Sequence, residues 1–306
     1  MPFKRLYLLF LIVPALFLSC RKSYNRMGAN TASRKEMINV VAKESSGDYA
    51  SKKEVSVQEL LHLKMSSSKK GILLTRIGYI SSYNRGTKCP NWVAWHLTAE
   101  HTEGLYPREG VPYYADDGTV YGIGHVTPET CKNQYIVDLE VDEPRQHLED
   151  WTREYNMSHG HMCPAGDNKW DKAAINQSFL LTNMCPQDER LNSGGWNTLE
   201  DKCRKWARKY GDIYIVTGPI FYEGARRSMG KNKIGIPDAF FKVVLCVNGA
   251  PKAIGFIYQN NSSSQSMKDC IHSVDEVEEI AGMDFFYSLT DSIEGEVEAM
   301  ADLSEW

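Results

Sequence analysis

The chain of 306 residues lacks a strong charge of either sign: 35 Lys and Arg stand against 39 Asp and Glu, a formal net charge of -4. Its overall field does not draw it to a polyanion or an anionic membrane, so any such binding needs a local basic surface. Eight cysteines are too few for a disulfide-built scaffold. The 42% hydrophobic and 24% charged residues exclude disorder and collagen-like repeats and suffice for a sizeable core. No internal repeat is visible, which excludes solenoids and propellers, and the one low-complexity run, Asn260-Asn261-Ser262-Ser263-Ser264, reads as a loop. The N-terminal apolar run, residues 6–18, is interrupted only by Pro14. It is shorter than the about 20 residues a spanning helix needs.

What is present begins with an export signal. Lys4 and Arg5 precede the apolar run, as in a signal peptide. The run ends in Phe17-Leu18-Ser19-Cys20, which resembles the lipobox of bacterial lipoproteins. That resemblance implies cleavage of residues 1–19 and a lipid on Cys20, anchoring the protein to a bacterial membrane. Phe17 departs from the usual aliphatic residue, and plain secretion is the alternative; either way the body is exported. Residues 20–68 are polar and rich in Ser, Lys and Asn, a tether with one short helix near residues 55–63. Residues 69–306 form the folded domain.

Within that domain, residues 72–83 and 92–97 are β-rich runs, and residues 135–141 form another. Residues 212–219, 240–247 and 253–258 are short apolar runs bounded by Gly, Pro or Asn, as in strands with both faces covered. Trp196, Leu199, Cys203, Trp206 and Tyr210 recur at steps of three and four, one face of an amphipathic helix that Gly211 stops. Without regular βαβ alternation the expected class is α+β around a mostly antiparallel sheet.

Charge is uneven. Residues 201–233 carry nine Lys or Arg against three acids, either a phosphate-binding stripe or a solvated helix face. Residues 271–306 carry eleven acids and no Lys or Arg, so this region should stay clear of a polyanion. The densest reactive cluster is Ser158-His159-Gly160-His161-Met162-Cys163. If extended, it puts His159, His161 and Cys163 on one face. That suits three zinc ligands, a histidine placed as a general base, or two structural histidines, and spacing alone does not choose.

Downstream stand Asn183-Met184-Cys185-Pro186-Gln187, then Asn192, Trp196 and Glu200. Together with Gly160-His161, this resembles the DNA/RNA non-specific endonucleases of the ββα-metal (His-Me finger) fold, which include endonuclease G and secreted sugar-nonspecific nucleases. Their pattern is Asp-Arg-Gly-His, Asn-x-x-Pro-Gln, an Asn nine residues after the first, and a Trp and a Glu four and eight further on; every interval is kept here. The resemblance runs from about Ile72 to Phe286, through Asn91-Trp92-Val93-Ala94-Trp95, Val216-Thr217-Gly218-Pro219, Ile236-Pro237-Asp238-Ala239-Phe240 and Val274-Asp275-Glu276-Val277-Glu278. It implies metal-dependent cleavage of DNA and RNA. His161 would take the proton of the attacking water, Asn192 would hold Mg²⁺ (with Mn²⁺ as a substitute), and Glu200 would orient the ion's waters. On an ideal helix Glu200 would lie roughly 80° around from Asn192 and two turns away. Asn183 would stand at the site edge, holding local geometry or substrate. Arg108, with Arg85 as runner-up, would be the upstream arginine that meets the phosphate.

Ser158-His159 replaces the family's Asp-Arg. If His159 stands in for that arginine it must be cationic while His161 must be neutral, which predicts a narrow pH optimum or a low rate. The alternative is a catalytically weak nucleic-acid-binding member of the fold. Of the seven cysteines other than Cys20, one must stay free or bridge two chains, and a homodimer is open. Cys163 and Cys185 are the first candidates for a bridge.

Overall fold

In the segment Cys89–Thr98 of the computed structural model, Val93, Trp95 and Leu97 enter one buried cluster while Trp92 and Ala94 enter another on the opposite face. This period of two, with apolar residues at both phases, is the physical reason the run reads as continuously hydrophobic. The structure describes residues 37–41, 52–65 and 70–306. The expected signal peptide, Cys20 and most of the tether lie outside the described residues.

The central sheet has seven strands, β1 (Ile72–Thr75), β2 (Ile80–Asn84), β3 (Cys89–Thr98), β6 (Asp212–Ile220), β7 (Ala239–Cys246), β8 (Lys252–Gln259) and β9 (Ile271–His272), and a separate two-stranded pair is formed by β4 (Met157–His161) and β5 (Met184–Asp188). Its order is β9-β8-β7-β6-β3-β2-β1, and every pair is antiparallel. The expected α+β class with an antiparallel sheet is what the chain adopts. The strand expected over residues 135–141 shrinks to Tyr135–Ile136, because Asp138 is drawn away to Arg76 (2.6 Å) and Thr182 (2.5 Å).

Five helices frame the sheet: α1 (Val57–Leu61), α2 (Lys172–Ser178), α3 (Asn197–Tyr210), α4 (Val274–Ala281) and α5 (Asp291–Glu298). On one face α3 buries Leu199, Cys203 and Trp206 against Trp95, Ile213, Phe240 and Phe256, the face its spacing predicts, and it ends at Gly211 with φ +94°. On the other face α1, α4 and α5 bring Leu60, Leu61, Val274, Val277, Ile293 and Val297 onto Val216, Phe241 and Val243. Each such apolar side chain contributes about 1.5–3 kcal/mol on burial. Leu60 and Leu61 precede residue 69, so part of the segment read from sequence as tether belongs to the packed body.

Candidate active site

His161 ends β4, and the register Met184 to His161, Cys185 to Gly160 and Pro186 to His159 holds that strand on β5. Glycine at 160 is required by the contact. A Cβ there would lie 2.6 Å from the Gln187 Cβ and 3.0 Å from the Cys185 carbonyl oxygen. Beyond the strand, the Met162 N–H donates to the Asn183 carbonyl at 2.9 Å. The Asn183 side chain closes the same turn: Oδ1 accepts from the Cys163 N–H at 3.0 Å, and Nδ2 donates to the carbonyls of Cys163 and Ser178, each at 2.9 Å. Asn183 is fully buried and does not line the site cavity. The substrate-binding role expected for it is therefore corrected: it fixes the segment that carries His161.

Asn192 and Glu200 come from a broken helix. Asp188 caps a short turn by accepting from the N–H groups of Arg190 and Leu191. A kink follows over Asn192–Trp196, where Gly194 leaves helical geometry (φ -105°, ψ -107°) before α3 begins. The ideal-helix angle between Asn192 and Glu200 does not apply across this break. Across the kink Asn192 and Glu200 still face one space. Trp196 is buried against Phe240 and Tyr258 and anchors the break.

That space is a cavity of about 590 Å³, lined by His159, His161, Asn192, Glu200 and Arg108. Five of the six residues chosen from sequence thus meet in one place; Asn183 is the exception. Lys169 and Arg204 also line it. Of the nine basic residues in 201–233, only Arg204 does so, and Lys202, Lys205, Arg208 and Lys209 are exposed, so the basic run is chiefly a solvated face. Arg204 was legible as the residue one helical turn beyond Glu200. Lys169 has no spacing signal. Arg204 Nη1 donates to Asp167 Oδ1 at 2.7 Å, and Nη2 to Asp201 at 2.5 Å. Burial alone would lower the Arg204 pKa, but these two carboxylates reverse that and raise it.

The electrostatics of the two histidines differ from expectation. His159 is stacked between Tyr135 and Trp151, each ring 3.8 Å away, and burial pulls its pKa down to about 3. It is a neutral slab in an aromatic sandwich, so it does not replace the missing arginine's charge. Cations on that side come from Arg108, Lys169 and Arg204. His161 is brought down to about 3 by burial first, then by Arg108 and His159. Its Nε2 is buried without a hydrogen-bond partner. The opposed protonation demands behind a narrow pH optimum vanish, since both rings are neutral together. We expect the imidazole proton resonances of His159 and His161 to stay constant from about pH 8 to pH 5, below the ordinary pKa of about 6.5; a midpoint near that value in either ring would contradict the burial described. Because both folded pKa values lie below the unfolded one, the stability these neutral rings allow is present above about pH 6.5 and is lost as pH falls.

Burial raises Glu200 to about 7, partly offset by Lys242. Lys242 is itself buried, its Nζ 5.0 Å from the Trp95 ring and 4.6 Å from the Trp196 ring. An amide oxygen and a carboxylate are hard donors that suit a hydrated divalent cation such as Mg²⁺. A zinc site from His159, His161 and Cys163 is not formed: among the described residues the one cluster with metal-ligand spacing lies elsewhere. Nor are Cys163 and Cys185 bridged. Both are free and buried; Cys163 accepts from Asn168 Nδ2 at 3.1 Å, and Cys185 lies beside Cys89.

An antiparallel strand pair carrying a histidine, followed by a helix carrying the carboxylate and amide that face it, is the ββα-metal nuclease fold. The same fold occurs in the crystal structure of the EndoG/EndoGI complex, with a TM-score of 0.59 and 23% identity over 72% of this chain and 89% of that one. Residues 56–292 match the DNA/RNA non-specific endonuclease family, and the chain belongs to it. It is 28% identical to mitochondrial nuclease EXOG of Danio rerio over 227 residues, 69% of this chain and 60% of that protein's length. It is 30% identical to nuclease C1 of Cunninghamella echinulata var. echinulata, over 73% of this chain and 86% of the relative.

Proposed function

We propose that the protein is an exported endonuclease that hydrolyses phosphodiester bonds of DNA and RNA with little sequence preference, with His161 as general base and a divalent cation, Mg²⁺ or in its place Mn²⁺. The observation that carries this reading is that His161, whose Nε2 has no hydrogen-bond partner, lines the same cavity as Asn192 and Glu200. Asn192 and Glu200 are the residues that would hold the cation. When bound, it neutralises charge on the phosphate and the leaving oxygen. Arg108, Lys169 and Arg204 receive the phosphate backbone, a contact that carries no base information and therefore suits a nuclease of low sequence preference. His161 accepts the proton of the attacking water on its neutral imidazole. A base brought down to about 3 by burial regains strength when an anionic phosphodiester enters, because the negative charge favours the imidazolium. The tyrosine and tryptophan that sandwich His159 give the cavity a rigid wall where the family's arginine is absent.

Export rests on residues 1–19, and a membrane anchor on a lipid at Cys20. Plasmid DNA and single-stranded RNA incubated with the chain test the central reading: both are expected to be degraded with added Mg²⁺ and to stay intact with EDTA. Cleavage that persists in EDTA would remove the cation from the reaction.

A further inference from the structure

The acidic stretch 271–306 takes no part in the cavity, yet it builds a cluster of its own. Asp275 and Glu278 sit three residues apart on one face of α4, and Glu298 closes α5. One ligand atom from each lies within 4.8 Å of the others. Glu298 is 4% exposed, and its Oε1 has no hydrogen-bond partner. Glu278 commits Oε1 to the Phe285 N–H at 2.5 Å, which leaves its second oxygen free of that bond. Among the described residues no Lys, Arg or His forms an ion pair with any of the three; nearby, Lys64 is taken by Asp284 at 3.2 Å and His272 by Glu276 at 3.3 Å. A buried carboxylate turned toward two others without a basic partner is costly unless a cation or a proton joins it.

We propose that Asp275, Glu278 and Glu298 bind a calcium-type divalent cation that ties α4 to the end of α5. Calcium–oxygen bonds of about 2.3–2.6 Å let two ligands of one ion stand about 5 Å apart, whereas magnesium at about 2.0–2.1 Å limits them to about 4.2 Å. The ligand atoms lie within 4.8 Å of one another, inside the span of the larger ion, and calcium, unlike magnesium, gives up its waters readily enough to take several protein carboxylates directly. An all-carboxylate set also suits a hard cation over zinc or copper. Burial, then the neighbouring carboxylates, push Glu298 up to about 9, and burial with Asp284 and Asp275 pushes Glu278 to about 7, so the cluster does not hold its full charge unaided. The competing arrangement is a proton shared within the cluster. The ion would be structural, since none of the three residues lines the cavity that holds His161.

Thermal unfolding of the full chain in EDTA and in excess calcium tests this. At calcium about a hundredfold above its dissociation constant, the melting temperature is expected to rise on the order of 5–10 °C. In Glu298→Gln the calcium-dependent rise should disappear, while the variant in EDTA melts no lower than the unaltered chain, because a buried like charge has been removed. Calcium binding in the nuclease cavity would act equally on both proteins, so the difference between them reports the cluster alone. An unaltered chain with the same melting temperature in EDTA and calcium, or an undiminished rise in Glu298→Gln, overturns the proposal. Should Glu298→Gln fail to fold, the exposed Asp275→Asn reads the same difference: a smaller calcium-dependent rise supports the site, and an equal one rejects it.

Discussion

His161→Ala is expected to lower cleavage of both DNA and RNA by about 10²- to 10⁴-fold, the range that a positioned general base supplies. The chain should remain folded, because the substitution loses the edge contact to Phe179 (4.9 Å) but also removes a buried nitrogen that has no partner. The loss should fall on kcat more than on KM, since the substitution leaves in place Arg108, Lys169 and Arg204, the proposed phosphate contacts. Unchanged single-turnover cleavage by a folded His161→Ala protein would take the histidine out of the reaction.

Arg204→Ala should cost about 3–5 kcal/mol of folding stability, the usual consequence of leaving one member of a buried pair behind. The Asp167 side chain is 1% exposed and would keep only the Trp95 Nε1 donor at 3.1 Å. Burial already raises the Asp167 pKa in the intact pair, and removal of the guanidinium raises it further. A carboxyl with a raised folded pKa loses stability as pH increases, so the defect should be larger near pH 8 than near pH 5. Urea unfolding at both values measures it; equal stability at either pH would show that Asp167 does not depend on Arg204. Activity should fall as well, because the same guanidinium lines the cavity.

These two residues also mark how far the sequence could be read. The intervals joining His161, Asn192, Trp196 and Glu200 point to a histidine, an amide and a carboxylate in one cavity, and the steps from Trp196 to Tyr210 predict the buried face of α3, because both are local or shared patterns. The kink at Asn192–Trp196 is not visible in the sequence. The two adjacent glycines leave no periodic trace: Gly194 leaves helical geometry, and Gly195 packs so close to Tyr258 that a Cβ there would approach to 2.8 Å. The neutral state of His159 is hidden for a different reason. Its environment is made by Tyr135 and Trp151, which come from segments outside β4 and whose convergence no spacing announces. Asn183 performs the first of the two tasks expected of it, holding local geometry and not substrate, and the choice was hidden because no spacing locates the three backbone groups that its side chain bonds.

The short helix α1 has a practical consequence. Its two buried leucines roof β3 and β6 on the face away from the cavity. A recombinant fragment trimmed to residue 69 would carry an intact catalytic pocket yet bare an oily window on its back, which invites aggregation during refolding. Keeping Ser56 and the residues after it lets the soluble body carry its own lid.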